Sequence, residues 1–548
     1  MNNSALSEDA PSPSGETPLP VYGLSAEERM RGLTPAGREA LQAAADALAR
    51  GRIAETQQSL DAVLAEAPAH AEALRMQAVV HHASGRRAEA MQTLGRAHAR
   101  QPGDPLILNH LGAMLHESGR TEQGLEMMRR AVEIAPDLVA GWFNLGRALE
   151  MESRWHEALG ALERVLTLKP DHLVARVGYA DALKAVGRTA DAAAAYRAAI
   201  AINPAHARAW FGLVDMKTVP LDDAEIEALE RLYGDPSLPD AERILAGFAL
   251  GNALEERKRY PEAFKVLSAA NAMKRRAVRW NPGELAALMR ECMNAFATPP
   301  AAAPDAALGS EIVFIVSLPR AGSTLIEQIL AAHPDISGGG ELGDLVATLG
   351  EESQRRGVPY PRWVGDATPD DWQRLGRRYL ERTAQVRRAR PRMTDKSLTT
   401  WPYLGAAAAM LPGARFVHAR RDPVETCWSC FKQLFGNVPH AFSYDLEELG
   451  AYWREYDRMM HFWHARHPRR LYDAIHEQLL AEPDAEVRRL LDFCGLPFDS
   501  ACLRFHRSAR AVATASAAQV REPLRADTAR ARHYGDLLAP LQRSLALE

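Results

Sequence analysis

Cysteine is scarce in this sequence. Cys292, Cys427, Cys430, Cys494 and Cys502 are too few, and odd in number, for a disulfide framework, which points to a reducing compartment. Long apolar runs are missing too: none approaches the roughly 20 residues a membrane-spanning helix needs. The first residues, MNNSALSEDAPSPSGETPLP, lack the basic and apolar regions of a signal peptide, and a soluble, cytoplasmic protein is expected. A basic excess is missing, since 66 Lys and Arg stand against 70 Asp and Glu for a net charge of −4, so nothing global argues for a nucleic-acid partner. An Asp-rich metal site is absent as well, and no metal is expected.

What is present divides the chain. At 548 residues, 47% hydrophobic and 25% charged, it is globular and too long for one ordinary core. Gly51, Gly85, Gly119 and Gly187 lie on a 34-residue register with Ser153 in the remaining slot. Pro68, Pro102, Pro136, Pro170 and Pro204 keep the same period, as do the small residues Ala44, Ala78, Gly112, Gly146 and Ala180. Small residues let two helices approach, glycine permits the turn between them, and proline ends the second helix. This layout resembles tetratricopeptide repeats over about Gly37–His206, which implies an all-α solenoid with a concave surface for a protein or peptide. After Trp210 the register breaks; Ala241–Arg276 looks like a divergent hairpin, and Thr298–Pro304, TPPAAAP, like a linker. The expected organisation is a disordered tail over 1–33, the array over 34–220, a divergent helical repeat and linker over 221–304, and an α/β domain over 305–548.

From Glu311 onward short apolar runs alternate with helical patterns, the signature of a parallel sheet with helices on both faces. Ile312–Val316, IVFIV, reads as a buried strand; Ser317–Gly322 turns the chain, and Leu325, Ile326, Ile329 and Leu330 follow at helical spacing from Ser323 to Pro334. A strand, a tight loop and a helix N-terminus form an anion site, to which Arg320 adds a charge and Ser323 and Thr324 add hydroxyls. The nucleotide-loop lysine of GxxxxGK[ST] is missing, because Gly322 stands before Ser323. A second anion segment is Ala414–Phe435, where a strand ends at Arg421 and Ser429 lies about two helical turns on.

Together these segments resemble the sulfotransferases that use 3′-phosphoadenosine 5′-phosphosulfate (PAPS). The resemblance implies that Pro319, Arg320, Ala321, Gly322, Ser323 and Thr324 form the 5′-phosphosulfate loop. It implies that Arg421 and Ser429 bind the 3′-phosphate; Asp422 fixes Arg421 rather than Arg420 as the match. The fit is best with tyrosylprotein sulfotransferases, over about Ile312–Tyr534. In that comparison Glu341, after Gly338–Gly340, matches the general base, Lys396 in MTDKSL the catalytic lysine, and Ser516 in SAAQVREP the serine at the sulfate. Arg532 in RARHY matches a late basic nucleotide contact, and His476-Glu477-Gln478-Leu479 stands where the family has Tyr-Glu-x-Leu.

The implied activity is sulfuryl transfer from PAPS to an acceptor hydroxyl, with a protein or peptide tyrosine recruited by the repeats as the favoured acceptor. A carbohydrate, lipid or small phenol stays open, as does a homodimer. An ATP-dependent kinase is disfavoured by the missing loop lysine, and a non-catalytic adaptor by intact Glu341 and Lys396. Cys427-x-x-Cys430 within a helix reads as buried small residues rather than a zinc pair. His461, His464 and His467 make a weak metal candidate, and Trp453, Tyr456, Met460 and Trp463 read as a core stripe before an acceptor pocket.

Overall fold

The computed structural model describes residues 22–436, 438–508, 510, 519–524 and 529–546. Two compact units divide at Asn203 and Pro204.

The first unit is a run of helical hairpins: Pro35–Ala49 with Ile53–Glu66, Ala71–Ala83 with Arg87–Arg100, Pro105–Glu117 with Thr121–Ile134, Val139–Met151 with Trp155–Leu168, and Leu173–Val186 with Thr189–Ile202. The periodic residues do what their chemistry suggests. Gly51, Gly85, Gly119 and Gly187 sit at φ +68° to +86°, in the left-handed region, and Ser153 adopts the same conformation at φ +57°. Ala44, Ala78 and Ala180 are fully buried. A methyl group on Gly112 would stand 2.7 Å from the Met128 side chain and 2.8 Å from the Gly124 carbonyl, so only glycine admits this helix approach.

The expected disordered tail is corrected in part. Residues 1–21 lie outside the described residues, but Ala26–Arg29 is a capped helix. Arg29 is buried among acidic partners, 2.7 Å from Asp104 and 3.0 Å from Glu72, and Arg75 sits 2.7 Å from the same Glu72. A charge cluster drawn from separate segments has no periodic trace in the sequence.

The second unit begins with helices Ala207–Asp215, Asp223–Gly234, Asp240–Glu256, Tyr260–Ala277 and Pro282–Ala295. The structure therefore groups the end of the expected array and the divergent hairpin with the α/β domain. The reason is polar as well as apolar. Asn252 and Asn271 donate to the carbonyls of Lys432 (3.1 Å) and Phe431 (2.9 Å), satisfying the C-terminal end of a domain helix. Buried Glu255 accepts from Tyr534 (2.6 Å) and Trp428 (3.2 Å) and pairs with Lys432. The TPPAAAP stretch is likewise no free linker: Ala303 is buried and its N–H donates to the Ala409 carbonyl at 2.9 Å.

Five strands follow: β1 Ile312–Val316, β2 Ile336–Gly338, β3 Arg392–Asp395, β4 Arg415–Arg420 and β5 Leu471–Ile475. They form one wholly parallel sheet in the order β2-β3-β1-β4-β5. Every residue of β1 is buried. Side-chain alternation sends Ile312, Phe314 and Val316 into one core with Phe416, Tyr456, Met460 and Trp463, and Val313 and Ile315 into another with Ile326, Ile329 and Val417. The stripe on the helix Leu446–Arg466 is thus core for these three residues, with Trp453 packed at its edge. Among the described residues, no helix is long and apolar enough to cross a membrane.

Candidate active site

A parallel sheet presents all its strand C-termini at one edge, and ligands bind beyond that edge. Here each strand delivers a candidate residue there. Glu341 follows β2, Lys396 follows β3, the Arg320 loop follows β1, Arg421 follows β4, and His476 follows β5.

The loop after β1 turns through two left-handed residues, Arg320 at φ +67° and Gly322 at φ +99°. A non-glycine residue there costs about 1–2 kcal/mol, which marks the arginine's placement as enforced by its surroundings. Gly322 then caps the helix Ser323–Ala331 without a side-chain hydrogen bond, so the loop approaches the first-turn amides unobstructed. The guanidinium Nε of Arg320 donates to Ser429 Oγ at 3.0 Å, and Arg421 donates to the Arg320 carbonyl at 3.4 Å. Burial, together with neighbouring Arg421, pushes the Arg320 guanidinium below its ordinary range. The two anion segments, about a hundred residues apart, are therefore one assembly. Both line a cavity of about 270 Å³ that includes Arg320, Gly322, Ser323, Thr324, Arg421 and Ser429. Pro319 and Ala321 are buried beneath the loop, and Cys430 Sγ donates to the Pro319 carbonyl at 3.2 Å.

Glu341 and Lys396 meet as an ion pair at 2.7 Å, and neither lines that cavity. Lys396 is 1% exposed and Glu341 half exposed, so the carboxylate faces solvent while the ammonium lies beneath it. Three backbone contacts fix the segment. Lys396 N–H donates to the Gly340 carbonyl (2.9 Å), Gly339 N–H to the Thr394 carbonyl (3.0 Å), and Gly340 N–H to Glu327 Oε1 (2.7 Å). Gly339 is obligatory for the second, since a methyl group there would meet the Thr394 carbonyl oxygen at 2.3 Å.

Glu327, on the helix that follows the Arg320 loop, carries no signal in the sequence. It is 2% exposed and also accepts from Thr394 Oγ1 (3.1 Å) and Arg510 (3.1 Å), while Arg510 donates to the Gly338 carbonyl at 3.1 Å. The same carboxylate thus joins the helix Ser323–Ala331 to the loop holding Glu341.

Other expected residues are placed differently. Ser516 lies outside the described residues. Arg532 is exposed and does not line the cavity, whereas Arg530 does; its N–H and that of Ala531 donate to Glu425 at 3.0 and 2.8 Å, which turns the chain so that the earlier arginine faces inward. His476 lines the cavity, and burial together with Arg421 lowers its pKa to about 4, so it is a neutral imidazole where the family has a phenol. Burial pushes the Cys427 and Cys430 thiols up, Cys430 to about 12. His464 does not gather with His461 and His467. It joins His418 on β4 and Asp473 on β5, with a ring nitrogen of each histidine within 2.9 Å of Asp473 Oδ1. Tyr456 completes the network at 2.6 Å from His418 Nε2, and Arg420 holds the second Asp473 oxygen at 3.2 Å. The three ligand atoms are close enough together to hold a cation, but the carboxylate charge is already matched by Arg420.

Known proteins share these segments. The family model described as "Sulfotransferase family" matches residues 312–500, and tetratricopeptide-repeat models match 47–113, 110–172 and 151–213. An uncharacterized protein of Aquifex aeolicus (strain VF5) is 30% identical over 340 residues, which are 60% of this chain and 44% of that one. This chain thus spans less than half of that relative's length. A Caenorhabditis briggsae protein named "Putative protein-tyrosine sulfotransferase" is 25% identical over 199 residues, 36% of this chain and 69% of that one. Among solved structures, Pseudomonas aeruginosa PilF (20% identity, TM-score 0.32, 41% of this chain and 92% of that one) and the MamA protein (15%, 0.27, 32% and 94%) are similar. On the matched segments, the chain carries tetratricopeptide repeats and, in its C-terminal region, a sulfotransferase-family domain.

Proposed function

We propose that this chain is a PAPS-dependent sulfotransferase whose favoured acceptor is a tyrosine hydroxyl of a protein or peptide recruited by the repeats. The observation that carries this reading is the Arg320–Ser429 contact at 3.0 Å, which supports one cavity with two anion-binding ends. A nucleotide with phosphate on both the 5′ and 3′ positions matches two such ends; ATP, with its charge on one side only, does not.

Glu341 takes the acceptor's hydroxyl proton as the oxygen attacks sulfur in line. The bond from sulfur to the bridging phosphate oxygen breaks, and 3′-phosphoadenosine 5′-phosphate leaves. Arg320, the amides at Ser323 and Thr324, and Lys396 stabilise charge on the sulfuryl oxygens and the departing phosphate. Fixed donors of this kind contribute most of the barrier lowering in such transfers. The Glu341–Lys396 pair has to open for this, so acceptor arrival on Glu341 frees the ammonium for the sulfuryl group. Ser516, beyond the matched residues 312–500, is proposed for the sulfate from the resemblance of SAAQVREP alone, and Arg530 rather than Arg532 is the arginine offered to the nucleotide.

The repeats would raise the local concentration of a tethered acceptor without altering sulfur's reactivity. The test is transfer of radiolabelled sulfate from PAPS into a lysate, with proteins separated from small products, by the full chain and by one starting at Pro204. Label in proteins with the full chain, and retained labelling of a small phenol with the shorter one, is expected. Label confined to small products would overturn the protein acceptor, and equal loss on both acceptor types would make the repeats a support for the site.

A further inference from the structure

We infer that Lys217 and Thr218, which precede the sulfotransferase-matched segment, are nucleotide contacts that complete the 3′-phosphate end of the cavity. This rests on the PAPS reading above and extends the site beyond the matched residues.

Both residues line the same cavity as Arg421 and Ser429. They follow the helix Ala207–Asp215, and Lys217 is held at φ +60°, in the left-handed region, which presents the two consecutive side chains to the cavity wall. Lys217 Nζ donates to Gln433 Oε1 at 2.7 Å, and Gln433 Nε2 donates back to Asp215 at 3.2 Å. Gln433 lies four residues beyond Ser429, just past the end of the helix Pro423–Phe431, so the ammonium, which also pairs with Asp215 at 3.6 Å, is tied to the segment bearing the serine that Arg320 already contacts.

Two unpartnered polar atoms give the second observation. Thr218 Oγ1 and His476 Nε2 are both buried, both without a hydrogen-bond partner, and both belong to residues of this cavity wall. A buried polar atom left unpaired is costly and calls for an explanation. Phosphate oxygens satisfy both: they accept from the threonine hydroxyl and, in the Nε2–H tautomer, from the imidazole. The wall is also stiff. Asn252 and Asn271 tie it to the end of the helix that bears Ser429, which limits the ordering cost on binding.

The chemistry recognised is a 3′-phosphate on an adenosine nucleotide. Calorimetry on the full chain with adenosine 3′,5′-bisphosphate and with AMP tests it. The parent should prefer the bisphosphate, and Arg421→Ala should erase that preference; equal affinities in the parent would overturn the PAPS reading itself. Given that preference, Lys217→Ala should weaken the bisphosphate about tenfold while AMP stays within about twofold. Lys217→Arg should restore most of the loss, and Thr218→Val should weaken the bisphosphate about threefold or more. Unchanged bisphosphate affinity in Lys217→Ala and Thr218→Val, or equal weakening of both nucleotides, would overturn the assignment while leaving the PAPS reading standing.

Discussion

Glu327 offers a severe test of how the site is built, because it touches no reacting atom in the proposed mechanism. Its Oε1 holds the Gly340 amide at 2.7 Å and the Thr394 hydroxyl at 3.1 Å, and its Oε2 holds Arg510 at 3.1 Å. In Glu327→Gln the carbonyl oxygen can keep the first two, but the amide nitrogen then meets the Arg510 guanidinium donor to donor. Losing one charge-assisted bond in a buried setting costs about 1.5–3 kcal/mol. Arg510 also anchors the Gly338 carbonyl, so the loop that orients Glu341 loosens with it. A displacement on the order of 1 Å at a reacting group can cost about 10²-fold. The expected outcome is kcat for sulfuryl transfer lowered by roughly 10–10²-fold. Affinity for adenosine 3′,5′-bisphosphate should stay near the parent's, since the first turn of the helix is untouched. The assay pairs steady-state kcat with nucleotide calorimetry and a thermal melt. Rate and nucleotide affinity falling together would mean general damage to the helix, and a parental kcat would show that Glu341 needs no such support.

Three more outcomes are expected. Glu341→Gln should retain nucleotide binding and lower kcat by roughly 10²–10⁴-fold; near-parental turnover would remove it as the base. Ser153→Gly, at the slot where its periodic equivalents are glycine at positive φ, should raise the stability of the repeats by about 0.5–1 kcal/mol in denaturant titration, and a decrease would show that the serine side chain does something the register hides. Burial opposes ionisation of Glu72, yet Arg75 and Arg29 outweigh it and hold the carboxyl at about 2, while burial and Arg75 hold His110 neutral down to about 3. Glu72 therefore stabilises fully above its unfolded pKa near 4.5 and loses that contribution as pH falls towards about 2, and His110 adds a loss that begins below about 6.5. Melts across this range should show a steep acid limb that flattens in Glu72→Gln, and identical limbs would refute the cluster's role.

How much of this was legible in the sequence depends on whether a residue's role is local. The 34-residue register encodes turn geometry and helix approach within one hairpin, so Gly51 or Gly112 can be read in isolation. The apolar run Ile312–Val316 and the loop after it are also local, and strand, turn and helix stand where the pattern puts them. Glu327 was invisible because a glutamate on a helix next to apolar residues reads as a solvated face, and its partners Thr394 and Arg510 lie 67 and 183 residues away. Lys217 and Thr218 fall where the register breaks, so no pattern marks them. The boundary between units falls at Asn203 rather than where the sequence suggests for a related reason: proline and alanine in TPPAAAP look like a spacer, while the Asn252 and Asn271 carboxamides that tie their helices to the domain carry no compositional signal. Arg530 and Arg532 differ only in which way a short turn faces, which two residues of sequence do not decide.

The strand order turns these placements into a division of labour along one edge. With β1 central, β3 and β2 on one side carry Lys396 and Glu341, and β4 and β5 on the other carry Arg421 and His476. The chain reverses direction of strand addition at β1, the point where open parallel sheets leave a crevice. On the proposed chemistry the sulfur sits over the β1 loop, with the proton acceptor on one flank and the nucleotide on the other. The helices from Ala207 to Ala277 line the nucleotide flank through Lys217, Asn252 and Glu255. On the same proposed chemistry the acceptor arrives from the β2 flank, where Glu341 is half exposed. This dictates where the chain can be divided in an experiment. A cut at the register break, before Leu221, removes Lys217 and Thr218 and damages the nucleotide flank, so lost activity would say nothing about acceptor choice. A cut at Pro204 leaves both flanks intact, and only then does a difference between a protein acceptor and a small phenol report on the repeats.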